Sequence, residues 1–571
     1  MSDRIRPTPE QRAAVEATLA AQPGSVIAVE AVAGSGKSTM LELGAAELRG
    51  LRKRMTYLAY NAPLAKQMKR RFGRYGAMVK TLHGAAHSAI FDRSRPYSAH
   101  RRGHGHMRGM DLAEALNLEG YSRLPGHRIS SWGVGAMVGK TIARFCQSAD
   151  TEIRLRHTTL GNYDPLLASD ETGVRVAAEE LRQHIFDKAR LGWARIVDPR
   201  GDLDISHATY PKLFHLELLR VAAGYPARIN IPRYLLPDVF LVDEAQDLNP
   251  VQIETVRLLS ELADGAVTVL VGDTYQQIYA WRGATNALSR VAADVRLPLT
   301  RSFRFGEPIA ELATEFVVRN GGRRDFVVRG NPAIQSTVRE MPGFESAVLA
   351  RTNLGAFNEA VDFLDFERPV YLPKAREIRS EVEDIIKLKN GGRPSPSSDY
   401  VLFHSYDELA EYAENEDPTV KRMLNLLRNY GDEGLLAILE ECASPRAGAV
   451  EVCTAHSAKG KEWPRVRLSD DFHSPYEERY LASDGAYDEE RNLTYVSITR
   501  AQQVLDASGA PHVIEAGEPP VATPEPVGVA GPEDLVIPTA APRDEGADFP
   551  NADTITARLA ADMFEQTFGR E

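Results

Sequence analysis

Short apolar runs alternate with helical periodicity along most of the chain. Residues 25–30 (SVIAVE) read as a buried strand and 37–48 as the helix that follows it. A strand comes next near 55–60 (MTYLAY), then a helix over 63–72 and a short strand near 77–81. Strand-like runs return at 238–242 (DVFLV), 266–271 (AVTVLV), 346–350 (SAVLA) and 449–454 (AVEVCT), mostly with helical patterns after them. A strand that is apolar throughout is buried on both faces, and a helix between strands carries the chain back to start the next one in parallel. The pattern therefore predicts an α/β fold of mostly parallel sheets covered by helices. Two stretches break the alternation. Residues from about 88 to 215 and from about 376 to 445 look mainly helical, and both read as insertions into the α/β frame. No internal repeat stands out.

Composition adds limits. A chain of 571 residues predicts about three to five domains. Its three cysteines, Cys146, Cys442 and Cys453, are far apart, which argues against a disulfide scaffold or a structural zinc site. No window approaches the run of apolar residues that a membrane span needs, and the first residues lack the apolar segment of a secretory signal. The net charge of −11 is unevenly spread: from Glu515 to Glu571, 12 acidic residues face 3 basic ones. The rest is close to neutral, so a basic groove for nucleic acid is not excluded. This tail is rich in Pro and acid up to about Pro550 and is expected not to order itself. Its last residues regain helical spacing at Ile555, Leu559, Met563 and Phe564, a short helix suited to docking on a protein partner.

The strongest chemical signal is Ala33-Gly34-Ser35-Gly36-Lys37-Ser38-Thr39, between a predicted strand and a predicted helix. Glycines let backbone N–H groups turn toward phosphate oxygens, and the helix N-terminus adds partial positive charge. Lys37 supplies a point charge for the β- and γ-phosphates, and the Ser38 hydroxyl a ligand for Mg²⁺. A second apolar strand delivers Asp243-Glu244 in the phrase DEAQD. Asp243 would hold Mg²⁺ through water, and Glu244 would activate the attacking water as general base. Together they predict ATP hydrolysis. A third strand leads to Gln276, Tyr279 and Trp281. Gln276 is placed to report the γ-phosphate, while Tyr279 and Trp281 offer flat faces for stacking bases; a core position is the alternative for Trp281. The basic stretch Arg93–Arg108 holds His100, His104 and His106 without ligand partners at metal spacing, so it reads as a loop near duplex phosphate, not a zinc site.

In order along the chain, these segments and others resemble the motifs of superfamily 1A helicases of the UvrD/Rep/PcrA type. Pro9-Glu10-Gln11 resembles the adenine-reading Q motif, Ala33–Thr39 motif I, Tyr60-Asn61 through Met68 motif Ia, and Thr81-Leu82-His83 the segment after it. Asp243–Asp247 is similar to motif II, Gly272–Ala284 to motif III and Leu299–Phe305 to motif IV. Thr454–Trp463 resembles motif V, and Glu489–Ala501 motif VI. The phrases DEAQDLNP, LTRSFRFGEP and LSDDF look most like the F-box DNA helicase branch, although no F-box is visible.

The resemblance implies two RecA-like motor domains with ATP in the cleft between them. It implies a domain 1A at 1–88 and 216–285 with an insertion 1B at 89–215. Domain 2A would take 286–375 and 446–514, with a reduced insertion 2B at 376–445 and the tail at 515–571. Gln11 would read the adenine edge, Phe303 would stack on its ring and Glu462 would reach the ribose, beside the phosphate loop from Ala33 to Thr39. Arg304 and Arg500 would act as arginine fingers on the γ-phosphoryl group. Tyr60, Asn61, His83, Tyr279, Trp281, Arg351, Asn353 and His456 would line the single-strand track. The family usually has an apolar residue where Lys461 sits; a solvent-facing lysine is the expectation here. The implied activity is an ATP- and Mg²⁺-dependent helicase moving 3′ to 5′ on single-stranded DNA and acting at single-strand/duplex junctions in repair, recombination or replication. The alternative is a translocase that strips recombinase or other proteins from single strands with little unwinding. The implied location is cytoplasmic at the nucleoid in a bacterial or viral setting, and nuclear in a eukaryotic one.

If Trp281 stacks on a base, Trp281→Ala should weaken single-strand affinity by about 1–3 kcal/mol. Fluorescence anisotropy with a labelled oligonucleotide measures this, and an unchanged affinity would return the indole to the core.

Overall fold

Among the described residues, twelve strands form two parallel six-stranded sheets, one built entirely from the chain before residue 300 and the other entirely from the chain after it. The structure, a computed structural model, describes residues 6–515 except 93–96, 98–108, 199–200, 202, 280–282, 284, 342, 344, 396–397, 399, 401–402, 404, 416–417 and 478–485. The expectations for Trp281, for His100, His104 and His106, and for the tail after Glu515 lie outside the described residues.

The first sheet contains β1 (Val26–Ala31), β2 (Met55–Ala59), β3 (Met78–Thr81), β4 (Val239–Asp243), β5 (Val267–Gly272) and β6 (Val295–Leu299). Their spatial order is β3-β2-β4-β5-β1-β6, and every pairing is parallel. Every residue of β2, β4 and β5 is buried, which is why these strands read as unbroken apolar runs. The second sheet contains β7 (Thr337–Val338), β8 (Ala347–Ala350), β9 (Val370–Tyr371), β10 (Val450–Thr454), β11 (Trp463–Leu468) and β12 (Ala501–Asp506), in the order β7-β12-β11-β8-β10-β9. This is the architecture of two RecA-like α/β units.

One expected boundary moves. Residues 295–299, assigned from sequence to the second unit, pair with β1 from Ile27↔Val295 to Ala31↔Leu299. The first unit therefore runs to Leu299. The hydrophobic pattern concealed β6 because VRLPL is an edge strand, mostly exposed, with a proline that an edge position tolerates.

The helical stretches pack onto the sheets. Helices Ser131–Gln147, Thr172–Val197 and Tyr210–Ala222 share one core with a face of the first sheet. Helices Asn353–Asp365, Ala375–Lys389 and Asp432–Glu441 share another with β8 and β10. Phe403 meets Trp132 edge to face, with ring centroids 5.5 Å apart, so the two helical regions touch. A third core joins the units directly: Val32, Ala33, Tyr275 and Ile278 of the first lie in the same cluster as Phe305, Ala455 and Tyr495 of the second. All three cysteines are buried and free. Among the described residues no helix is long and apolar enough to cross a membrane.

Leu241 is 1% exposed in β4, between β2 and β5. Leu241→Ala should cost about 2–5 kcal/mol, read as a lower denaturant midpoint for the first unit; a change under about 1 kcal/mol would mean the sheet centre relaxes around the cavity.

Candidate nucleotide cleft and strand track

The turn after β1 holds Gly34 and Gly36 at φ of +72° and +78°, backbone that a side chain would strain. A Cβ on Gly34 would also lie 2.7 Å from Ser302 Oγ and 2.8 Å from Arg304 Cβ. Helix Lys37–Gly50 starts at Gly36 with no side-chain cap, so its first N–H groups stay available to an anion. Ser35 Oγ is buried without a hydrogen-bond partner. These features fit a bound phosphate chain.

Lys37 Nζ lies 3.1 Å from Glu244 Oε2, and Ser38 Oγ 3.3 Å from Asp243 Oδ2. The second spacing suits two neighbouring oxygens around Mg²⁺, which takes one or two protein ligands and leaves the rest to water and phosphate. Tyr57 donates a hydrogen bond to Asp243 Oδ2, and Gln246 Nε2 donates to Glu244 Oε2 at 2.6 Å. Glu244 itself sits at φ +55°, a posture that costs a non-glycine residue about 1–3 kcal/mol and concentrates at functional sites. Burial opposes the charge on Lys37, but Glu244, Asp243 and Asp273 outweigh it and hold its pKa above the usual value. Burial would raise Glu244; Lys37 and Lys459 overcome it and hold Glu244 at about 2. Asp243 is raised by burial and by the neighbouring Glu244. With Lys37 paired to it, Glu244 is a poor base, and a phosphate that drew Lys37 away would restore its basicity.

The second unit closes the cleft through named contacts. Phe303 N–H donates to Gly34 C=O at 2.8 Å, and the Phe303 side chain, 46% exposed, borders Gly36 and Gln11. Gln11 closes a capping box with Thr8 and donates from Nε2 to Ser35 C=O at 3.2 Å. Tyr495 OH donates to Asp273 Oδ2 at 3.1 Å and accepts from Ala33 N–H at 3.3 Å. Lys459 pairs with Asp247 and donates to Gln276 C=O at 2.7 Å. Gln276 Nε2 in turn donates to Asp273 Oδ2 at 2.7 Å.

The two arginines point elsewhere in this arrangement. Arg304 Nε pairs with Glu462 at 2.6 Å, and its guanidinium also donates to Thr499 C=O. Arg500 is 1% exposed and donates to Val496 C=O, Lys461 C=O and Thr499 Oγ1. Burial, then the neighbouring Arg304, lowers its pKa to about 9. Glu462 is shared between Arg304 and Gln502. Lys461 pairs with Glu451 at 2.7 Å.

Among the residues expected to line a strand track, Tyr60 and Tyr279 stack with centroids 5.7 Å apart, and Lys459 Nζ lies 4.8 Å from the Tyr279 centroid. Asn61 accepts from Leu64 N–H as the cap of helix Ala62–Phe72. His83 stacks on His207 at 4.5 Å, and burial, then His207, lowers its pKa to about 4. Arg351 pairs with Glu490 at 2.7 Å, while Asp471 accepts from the Arg351 and Thr352 N–H groups and so orients the start of the helix holding Asn353. His456 Nε2 is 3.9 Å from Glu489 Oε1.

The residue pattern alone did not single out Tyr57, Lys459 or Tyr495. Tyr57 looks like any aromatic in a buried strand. Lys459 and Tyr495 lie inside phrases already matched to motifs V and VI, and polar residues within a buried run were the available signal.

Comparison with known proteins agrees with this layout. The UvrD/REP helicase N-terminal domain matches residues 237–292, the UvrD-like helicase C-terminal domain 369–509, and an AAA domain 6–111. F-box DNA helicase protein 1 of Schizosaccharomyces pombe is 25% identical over 540 residues, 87% of this chain and 57% of that protein. F-box DNA helicase 1 of Gallus gallus is 26% identical over 518 residues, 84% and 47% respectively. DNA helicase II of Haemophilus influenzae is 44% identical over 72 residues, 12% of this chain and 10% of that protein. The chain thus spans about half the length of the F-box relatives. It carries both UvrD-like helicase domains and is homologous to F-box DNA helicases.

Asp247 is raised to about 6 by burial, with Lys459 opposing that rise. Removing the cation in Lys459→Ala leaves a buried carboxylate that is tolerable only when protonated. A folded pKa above the free value means the neutral form is favoured, so the loss of stability in this variant should be small near about pH 5 and grow toward about pH 8, reaching about 2–4 kcal/mol. Denaturation at several pH values checks this, and a pH-independent loss would contradict it.

Proposed function

We propose that this chain, with its two UvrD-like domains, is an ATP-dependent DNA helicase that moves 3′ to 5′ on single-stranded DNA and opens duplex at junctions during repair, recombination or replication. The observation that carries the reading is the composite cleft: a phosphate-type loop on one parallel sheet, faced by Phe303, Arg304 and Tyr495 from the other. A site with one wall on each of two units converts nucleotide turnover into relative movement of those units.

ATP with Mg²⁺ is the proposed nucleotide, with Gly34, Gly36, Lys37 and Ser38 around the phosphates and Ser38 and Asp243 toward the metal. The metal would neutralise charge building on the phosphoryl oxygens. Lys37 exchanges Glu244 for phosphate, and Glu244, relieved of its cation, accepts a proton from water. Arg304 leaves Glu462 to meet the γ-phosphoryl oxygens, and Arg500 holds the same end of the second unit. Gln11 and Phe303 take the base. On the strand side, Tyr60, Tyr279, His83, Arg351, Asn353 and His456 grip unpaired DNA. Lys459 spans both functions, since it touches Asp247, the Gln276 backbone and the Tyr279 ring.

Lys37→Ala should abolish DNA-stimulated ATP hydrolysis while leaving single-strand binding largely intact; retained turnover would refute the phosphate-loop assignment. Purified protein should unwind 3′-tailed duplex in preference to 5′-tailed duplex with ATP. Equal unwinding of both would sink the direction, and turnover indifferent to single-stranded DNA would sink the function.

A further inference from the structure

Helix Ala62–Phe72 begins beside the strand track and packs back over β2 and β3 at one side of the first sheet. Its cap, Asn61, follows Tyr60, whose ring stacks on Tyr279. The helix then runs antiparallel to β2, burying Met68 and Phe72 against the sheet. Its outward face presents Lys66, Lys69 and Arg70, all exposed and three or four residues apart around Lys66. Beyond it, the Arg49 guanidinium donates to Arg74 C=O and ties the end of helix Lys37–Gly50 to the turn Gly73–Tyr75 that follows this helix. That junction adds exposed Arg49, Arg52 and Lys53.

None of these six cations forms a salt bridge among the described residues, although Lys53 lies close enough to Asp238 to help lower its pKa. The nearby carboxylates are committed elsewhere: Glu42 takes Arg71 and Arg74, and Asp238 takes Arg54. Glu47 remains exposed on the neighbouring helix. Cations do favour helix C-termini, and two helices end here. That effect fades within the last turn and leaves Lys66 unaccounted for. Lys66, Lys69 and Arg70 repel one another on one helix face, and Arg49, Arg52 and Lys53 add like charge at the junction, a repulsion that a polyanion would relieve.

We propose that this strip binds the phosphate backbone of single-stranded DNA and extends the track beyond Tyr60 along the outer face of the first unit. The proposal rests on the helicase reading and deepens it. Lys66 to Arg70 span about 6 Å of the helix axis, and the junction at Arg49 and Arg74 carries the strip beyond the helix end. Charge spacing without aromatic faces suits contacts that are tight at low salt and indifferent to sequence.

The test measures oligo(dT) affinity of the full-length protein against salt, for oligonucleotides of increasing length. Each phosphate neutralised on a single strand contributes about 0.7 to the slope of log affinity against log salt. The triple variant Lys66→Gln/Lys69→Gln/Arg70→Gln should therefore have a slope shallower by about 2 on long oligonucleotides and wild-type behaviour on short ones. Its ATP turnover without DNA and its melting temperature should be unchanged. The double variant Arg52→Glu/Lys53→Glu should show the same length-dependent loss. Unchanged slopes at every length, with the wild type still binding, would overturn the strip and leave the helicase reading standing. No binding of oligo(dT) by the wild type would overturn the helicase reading itself. Carbodiimide coupling of Lys66 or Lys69 to the acidic segment after Glu515, undiminished by oligo(dT), would assign the strip to that segment and end the proposal.

Discussion

Charges buried between the two sheets must find partners there, and each sheet lacks part of what it needs. Asp247 and Asp273 sit on the first unit, almost wholly out of water. The cation beside Asp247, Lys459, comes from the second unit, and Asp273 adds Tyr495 of that unit to its own Tyr275 and Gln276 donors. A carboxylate stripped of its cation in such a place costs several kcal/mol, far more than a surface pair is worth. The two units are thus bound by electrostatic need as well as by the shared core around Val32, Tyr275 and Phe305.

The same logic describes the cleft around Gly34 and Gly36. Lys37 holds Glu244, and Arg304 holds Glu462. Each acidic partner occupies a cation that the proposed reaction would turn on phosphate. These carboxylates neutralise the half-buried cations, and on the proposed function they give way to phosphate. The strained backbone of Glu244 and the collision that any Cβ on Gly34 would meet mark where the fold gives up local comfort to keep this geometry.

Much of this was legible in the residues. Runs such as FLVD and TVLVG are apolar on both faces because parallel strands are covered on both sides, so β4 and β5 could be read directly. The glycine-rich turn was legible as backbone, because its glycine spacing matches the positive φ that Gly34 and Gly36 adopt. Strands β6, β11 and β12 were hidden because VRLPL, WPRVRL and AQQVLD mix polar residues or proline into half-exposed positions. Pairings across the cleft were hidden for a different reason. Lys459 and Asp247 are 212 residues apart, and no local pattern encodes such a meeting. Nor could the chain alone reveal that Arg500 turns back into its own helix.

The chain passes from one sheet to the other at a single place, just after β6, where the Thr300 N–H and hydroxyl are clasped by Glu10 and Arg329 donates to Thr300 C=O. Phe303 and Arg304 lie three and four residues past that clasp. On the proposed function, a pivot so near the cleft would work like a short-handled lever: a slight rotation would barely shift the ring and guanidinium beside Gly34 and Gly36, yet would sweep the helices at the far rim through a much longer arc. Fine adjustment at the cleft and coarse travel at the periphery would then be one motion, geared by where the backbone crosses.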